Sequence, residues 1–442
     1  MKDMTKGSIP KLIIMFALPI FLSNLFQQMY NAFDSLIVGR YIGDAALAAV
    51  SSSGNLIFLF TSFFIGTASG ASVLISKYYG EKDYDSMSKA IHTNVAVGII
   101  FGIILTIVGV FLSPFILKLM KTDPNVLPNS IEYFQCYFWG AMGIVLYNIF
   151  SSILNAVGNS KRTLIYLVIA SITNVLLDIL FIIGFKWGVG SAGVASAISQ
   201  VFSALLCFMY LHRKGQIYTI RIRDIKIHKD MLKLIIKYGI PAGVQNSVIA
   251  LANVFVQSNI NSFGDIAMGG CGTYSKIEGF AFLPITSFTM ALTTFISQNL
   301  GAKEYDRAKK GATFGTICAC SLAELIGIIM FLFMPFLASM FTTNEEIIKV
   351  ATYQARVITL FYFLLAYSHS IAAVCRGQGR TMIPMLVMLG IWCILRVTYI
   401  TIAINIKHDI VLLFIAYPLT WFISSVIYFI YLRRYNWERG FN

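Results

Sequence analysis

Twelve stretches of this chain are mainly apolar over roughly the 20 residues that a helix needs to cross the hydrocarbon layer of a membrane, and nothing else in the sequence constrains the fold as strongly. They lie near residues 12–37, 49–76, 92–113, 133–156, 164–185, 191–211, 234–258, 270–298, 312–333, 352–375, 383–404 and 410–432. Hydrocarbon offers no water to satisfy backbone N–H and C=O groups, so each stretch predicts a helix that satisfies them internally. With 57% hydrophobic and 12% charged side chains among 442 residues, too few polar groups exist to cover a globular surface of this size. The first stretch has the lysines and apolar run of a signal peptide. No small-residue cleavage site follows, however, and it continues through Pro19, Asn24, Gln27 and Asp34, so it is expected to be the first span.

Charge sets the orientation. Of the 34 Lys and Arg, 24 fall at the termini and in even-numbered loops. Six fall in odd-numbered loops (Arg40, Lys118, Lys121, Lys186, Lys349 and Lys407), and Lys237, Lys276, Arg356 and Arg396 fall inside spans. The positive-inside rule then predicts a multi-pass plasma-membrane protein with both termini in the cytoplasm. The net charge of +14 is dispersed over short loops, which argues against nucleic acid as a partner. The longest loop, His212 to Lys233, holds Arg213, Lys214, Arg221, Arg223, Lys226, Lys229 and Lys233 and reads as a cytoplasmic linker.

Several chemistries leave no trace. The seven cysteines form neither a C-x-x-C nor a Cys/His cluster and read as small apolar fillers. There is no phosphate-binding G-x-x-x-x-G-K-[ST], no H-E-x-x-H and no G-x-S-x-G, so neither ATP coupling on this chain nor catalysis is expected, and no cofactor. His369, alone in mid-span, reads as a bonded packing residue, and Arg376-Gly-Gln-Gly-Arg reads as a tight cytoplasmic turn.

The second half repeats the first. Lys11-Leu-Ile-Ile returns as Lys233-Leu-Ile-Ile, Pro19 as Pro241, Asn24 as Asn246 and Asn31 as Asn253. Gly80-Glu-Lys-Asp-Tyr-Asp returns as Gly301-Ala-Lys-Glu-Tyr-Asp, and Gly158-Asn-Ser-Lys-Arg-Thr as Gly377-Gln-Gly-Arg-Thr. Six spans per repeat give both halves one topology. The predicted fold is an all-α polytopic membrane protein: twelve transmembrane helices as two six-helix bundles related by a pseudo-two-fold along the membrane normal. The bundles are expected at 1–215 and 234–442, joined by the linker 216–233, with a substrate cavity between them.

Ionisable residues inside spans are expensive and therefore informative. Asp34 heads a polar stripe with Gln27, Tyr30 and Asn31 at helical spacings, and Asp178 has Asn174 one turn below it. Both spans run outward, and a rise of about 1.5 Å per residue puts both acids roughly 7 to 10 Å below the outer edge, with Ser196 of the returning span at a similar depth. Two adjacent carboxylates resist ionising together, which suits reversible proton uptake; the same oxygens with Asn174 and Ser196 suit Na+ equally. The repeat places Val256 opposite Asp34 and Arg396 opposite Asp178, so a cation site is expected in the first half alone. In the second half Glu278, with Asn246, Asn253 and Gln257 of span 7, and Gln27 and Asn31 of span 1, are candidates for a substrate cavity. Glu324, Arg356 and Arg396 are expected to form interhelical ion pairs or to snorkel. Pro19 and its repeat Pro241 each remove a helix hydrogen bond and are candidate hinges. The pairs Gly66/Gly70, Gly98/Gly102 and Gly239/Gly243 are small-xxx-small spacings that favour close helix packing.

The paired Gly80 and Gly301 loops, the Gly158 and Gly377 turns and Tyr30-Asn-Ala-Phe-Asp34, in this order on twelve spans, resemble the multidrug and toxic compound extrusion (MATE) transporters, in particular the prokaryotic DNA-damage-inducible branch. The resemblance covers nearly the whole chain. It implies a secondary antiporter, functional as a monomer, that exports small organic and often cationic compounds in exchange for H+ or Na+ by alternating access; a lipid or lipid-linked oligosaccharide flippase of the wider superfamily is the alternative. It also implies that Asp34, Asp178, Asn174, Tyr30 and Ser196 form the first-half cation site, with Ser196 where a threonine is frequent. Lys276-Ile-Glu278 is similar to the span 8 motif of that branch. The acid that the sodium-type branch carries in span 7 is missing, which argues against a sodium site in the second half.

Overall fold

The computed structural model describes residues 3–119, 124–213, 215–437 and 441; Lys121 and Lys214 lie outside them. Among the described residues every regular element is helical. The first half runs α1 (Ile9–Tyr41), α2 (Asp44–Glu81), α3 (Tyr84–Leu119), α4 (Leu127–Trp139), α5 (Ala141–Ala156), α6 (Ser160–Asp178) and α7 (Gly190–Leu211). The second runs α8 (Lys229–Asn261), α9 (Asp265–Gly301), α10 (Tyr305–Ser339), α11 (Glu345–Ile358), α12 (Tyr362–Gly377), α13 (Met382–Val387), α14 (Arg396–Ile406) and α15 (Ile410–Arg434). Among the described residues ten helical segments are long and apolar enough to cross a membrane, and α4 with α5, bent by 49° at Gly140, makes an eleventh span. The twelfth is α2, whose sequence carries no charged residue from 45 to 76.

Spans 5 and 11 are not plain α-helices. A π-helical stretch, Ile179–Gly184, follows α6 directly after Asp178, and another, Met388–Leu395, joins α13 to α14 directly before Arg396. Such wider turns re-aim the side chains beside them and recur at functional positions. Span 10 is interrupted by a 3-10 turn at Thr359–Phe361, and Glu324 of α10 repairs the break: its Oε2 accepts the Phe363 N–H at 3.0 Å. Glu324 is therefore a helix cap, not a member of an ion pair. Glu324→Ala is expected to destabilise by about 1 kcal/mol, and Glu324→Gln, which keeps an acceptor oxygen, by less. Thermal unfolding of the purified variants checks that order.

The turns of the two halves superimpose in backbone geometry. Lys82 and Lys303 both take a left-handed conformation, φ 59 and 61, as do Gly158 and Gly379, φ 80 and 73. Asn159 N donates to Leu154 O at 2.8 Å, and Arg380 N donates to Cys375 O at 2.9 Å. All these pairs differ by 221. The counterpart of Gly158 is thus Gly379, and the pairing of Gly158 with Gly377 slipped by two residues at a turn containing both glycines. The same register places Tyr399, not Arg396, opposite Asp178. The second half has lost the acid without reversing its charge.

The chain forms two compact units that differ from the sequence halves at one helix each. One comprises Leu22–Gly243, and the other Asp3–Phe21 with Val244 onward. The first part of α1 therefore belongs with the second unit and the first part of α8 with the first, each change falling three residues after a proline, Pro19 and Pro241. In the first unit Phe134, Phe138, Ile153 and Leu154 lie in one buried apolar core, with the Phe134 and Phe138 rings stacked at 4.5 Å. In the second, Tyr274, Tyr362, Phe414 and Tyr428 do the same.

Within the first unit the glycine spacings of α2 and α8 meet. A Cβ on Gly66 or Gly70 would strike backbone atoms of Ala242 and Gly243 or of Tyr238 and Gly239, and one on Gly239 would lie 2.9 Å from Thr67 O. The residues 216–233 are docked as well as connecting: Tyr218 and Ile220 are buried, Arg221 N donates to His92 Nε2 at 3.0 Å and His228 N to Thr93 Oγ1 at 3.2 Å. In the second unit the N-terminal segment is held in the corresponding way. The Met4 carbonyl accepts from Asn299 Nδ2 and from Arg307 Nε and Nη2, each at 3.2 Å.

Candidate functional site

Three pairs of polar residues, each spaced i, i+4, converge in the first unit. Tyr30 and Asp34 lie on α1, Asn174 and Asp178 on α6, and Ser196 and Gln200 on α7. This spacing stacks two side chains on one helix face. Asn174 Nδ2 donates to Ser196 Oγ at 3.3 Å, and Gln200 Nε2 donates to the Tyr30 hydroxyl at 3.5 Å. The charges of Asp34 and Asp178 act on each other and on Tyr30 and Tyr133. Among the described residues neither carboxylate has a Lys or Arg within 4 Å.

The site is deeply buried and rich in acceptors. Asp34 is 5% exposed, Asp178 0% and Asn174 1%. Among the described residues, no hydrogen-bond donor meets Asp34 Oδ1, either carboxylate oxygen of Asp178, Asn174 Oδ1 or Gln200 Oε1, all of which are buried. Each such atom costs about 1 to 3 kcal/mol, more when charged, unless something electropositive meets it. A proton shared between the carboxylates meets that need, and so does a small oxygen-seeking cation. All five residues expected at the cation site, Asp34, Asp178, Asn174, Tyr30 and Ser196, thus lie in one cluster. Gln200 is a sixth member that the sequence reading missed; its signal was the one-turn spacing from Ser196.

The remaining candidates fall on both units, Gln27 and Asn31 on the first and Asn246, Asn253, Gln257 and Glu278 on the second. Gln27 is half-buried beside Tyr30, but Asn31, Asn253 and Gln257 are exposed, and Gln257 Nε2 bonds Asn261 Oδ1 on its own helix at 2.9 Å. Asn246 is half-buried. Glu278 belongs to a hydroxyl network: its Oε1 accepts from the Tyr274 and Tyr362 hydroxyls, each at 3.2 Å. Arg396, expected in an ion pair or snorkelling, does neither; it is buried, with Nε and Nη2 donating to Thr420 Oγ1. Arg356 is exposed. His369 packs edge-on between Phe282 and Trp392 at 5.1 and 5.2 Å, and among the described residues its Nε2 has no hydrogen-bond partner.

Comparison with known proteins gives the family and the fold. The MatE family model matches twice, at residues 19–180 and 241–402, once per repeat. The probable multidrug resistance protein YoeA of Bacillus subtilis is 27% identical over 445 residues, covering 98% of this chain and 96% of that protein. The multidrug export protein MepA of Staphylococcus aureus is 23% identical, covering 86% and 85%. Among solved structures, a MOP-superfamily transporter from Pyrococcus furiosus matches with a TM-score of 0.91 at 21% identity, covering 98% and 96%. An outward-facing multidrug resistance MATE-family transporter matches with a TM-score of 0.90 at 21% identity and the same coverage. These two likenesses concern the fold.

Proposed function

Because this chain belongs to the MatE family, we propose that it is a secondary antiporter that exports small organic, cationic or amphipathic compounds across the plasma membrane in exchange for H+ or Na+. The relatives named for multidrug resistance and export support the substrate class, and the positive-inside distribution of Lys and Arg supports cytoplasmic termini. The observation that carries the ion coupling is the set of orphaned oxygens on Asp34, Asp178 and Asn174.

The exchange follows from electrostatics. Without a cation, the two carboxylates repel each other in a medium of low dielectric and favour a conformation that gives them water. Uptake of a proton or Na+ removes that repulsion and lets α1, carrying Tyr30 and Asp34, close on α6 and α7. A cation that binds one conformation better than the other shifts the population toward it, and its gradient then drives the cycle. Pro19, fifteen residues before Asp34, lacks the N–H that would stiffen the helix and serves as the hinge of α1.

Reconstituted vesicles loaded with ethidium test this. An imposed pH gradient or an imposed sodium gradient is expected to drive ethidium transport against its concentration, and the effective gradient identifies the ion. Ethidium that only equilibrates under either gradient contradicts antiport.

A further inference from the structure

The second unit holds a buried cation of its own. Arg396 opens α14 directly after a π-helical stretch and is 2% exposed. Its guanidinium carbon lies 4.9 Å from the ring centre of Trp392, one turn earlier, and 4.7 Å from that of Tyr417 on α15. Thr420, one turn beyond Tyr417, accepts from Nε at 3.2 Å and from Nη2 at 2.7 Å. The guanidinium has no ion pair within 4 Å among the described residues. The carboxylate whose charge acts on it is Glu278, whose Oε1 is held by the Tyr274 and Tyr362 hydroxyls, which themselves meet at 2.8 Å; Tyr362 and Tyr417 both pack edge-on against Trp421 at 6.0 Å, which joins the two clusters.

Trp and Tyr faces with an acid close by are the parts from which proteins build sites for guanidinium and quaternary ammonium ions. Here the cation is attached to the chain. A buried arginine without an ion pair is costly, and its desolvation is offset by the two rings, the hydroxyl and the field of Glu278.

We propose that Arg396 is the built-in occupant of an organic-cation cage, and that its charge balances Glu278, so that the second unit carries no exchangeable cation. This rests on the reading above only in its consequence, that coupling is confined to Asp34 and Asp178. The cage itself rests on the contacts of Arg396. Two effects follow from removing the guanidinium: the half-buried Glu278 is left without a counter-charge, and the cage becomes free for a cation from solution.

The test uses the full chain purified in detergent, with thermal unfolding as readout and ethylguanidinium chloride as probe; ethylurea is its neutral isostere. Arg396→Ala is expected to melt below wild type and to be raised by about 2 to 4 °C in millimolar ethylguanidinium, with ethylurea leaving it unchanged. Wild type should respond to neither. Adding Glu278→Gln to Arg396→Ala should remove at least half of the ethylguanidinium effect. Equal responses to the two probes, or a response indifferent to Glu278, overturn the proposal. Should Arg396→Ala not yield folded protein, Arg396→Met fills the volume without the charge. It should melt below wild type and recover part of the loss on adding Glu278→Gln; no recovery overturns the proposal. Because melting in detergent requires no ion exchange, failure here leaves the Asp34 and Asp178 reading standing, and failure of that reading leaves the cage standing.

Discussion

Asp178→Asn is expected to lower gradient-driven export by about a hundredfold, because a cation that no longer distinguishes the two conformations shifts their populations by nothing. Asn keeps the size and one acceptor oxygen of Asp but cannot take up a proton or offer a negative charge to Na+. Asp34→Asn should act in the same way. The double variant should be no worse than either single one, since two carboxylates that hold one cation form a unit and their effects do not add. Binding of ethidium to the purified variants should survive, because neither residue is assigned to the substrate. A normal membrane yield with wild-type export for Asp178→Asn counts against the site.

The second large effect concerns folding. In the first unit, α2 and α8 approach until the backbone of each fills the space where a side chain of the other would be, through Gly66, Gly70, Gly239 and Gly243. Lipid surrounds both helices with apolar atoms, so close van der Waals contact, not exclusion of water, holds them together. A methyl group at Gly70 meets Gly239 Cα and Tyr238 O, which cannot rotate away. Gly70→Ala should therefore destabilise by about 2 to 3 kcal/mol, and Gly70→Leu should prevent recovery of folded protein. Gly70→Ala and Gly239→Ala together should cost less than the sum, since the first methyl already separates the helices. Melting temperatures of the three variants give the answer, and an unchanged value for Gly70→Ala contradicts close packing at this contact.

The spans were legible in the sequence because bilayer thickness fixes how long an apolar stretch must be, and this is independent of tertiary contacts. The convergence of α1, α6 and α7 at these residues was legible for a similar reason: a helix rises evenly, so distance from the end of a span translates into height along it. The counterpart of Asp178 was misplaced because Gly377 and Gly379 both stand in one short turn. The positive φ at Gly379 and the Arg380 N–H bond to Cys375 O show which of them repeats Gly158. The bend at Gly140 left no clear mark either, since glycine is common in membrane helices. Arg396 and Glu324 were misread for a different reason. Their partners, Thr420, Tyr417 and the Phe363 N–H, are distant in sequence or belong to the backbone, and neither kind of partner appears in a charge pattern. Similarly, the passage of α1 and α8 from one unit to the other depends on contacts between helices that no local pattern encodes.

The central claim is that Asp34 and Asp178 exchange a cation for substrate, and counter-ion flux tests it most directly. Vesicles containing the protein and either a pH-sensitive or a sodium-sensitive dye are given ethidium on one side. Wild type should move H+ or Na+ in the direction opposite to ethidium, and Asp178→Asn, at equal protein content, should move none. Undiminished counter-ion flux in Asp178→Asn would contradict the account.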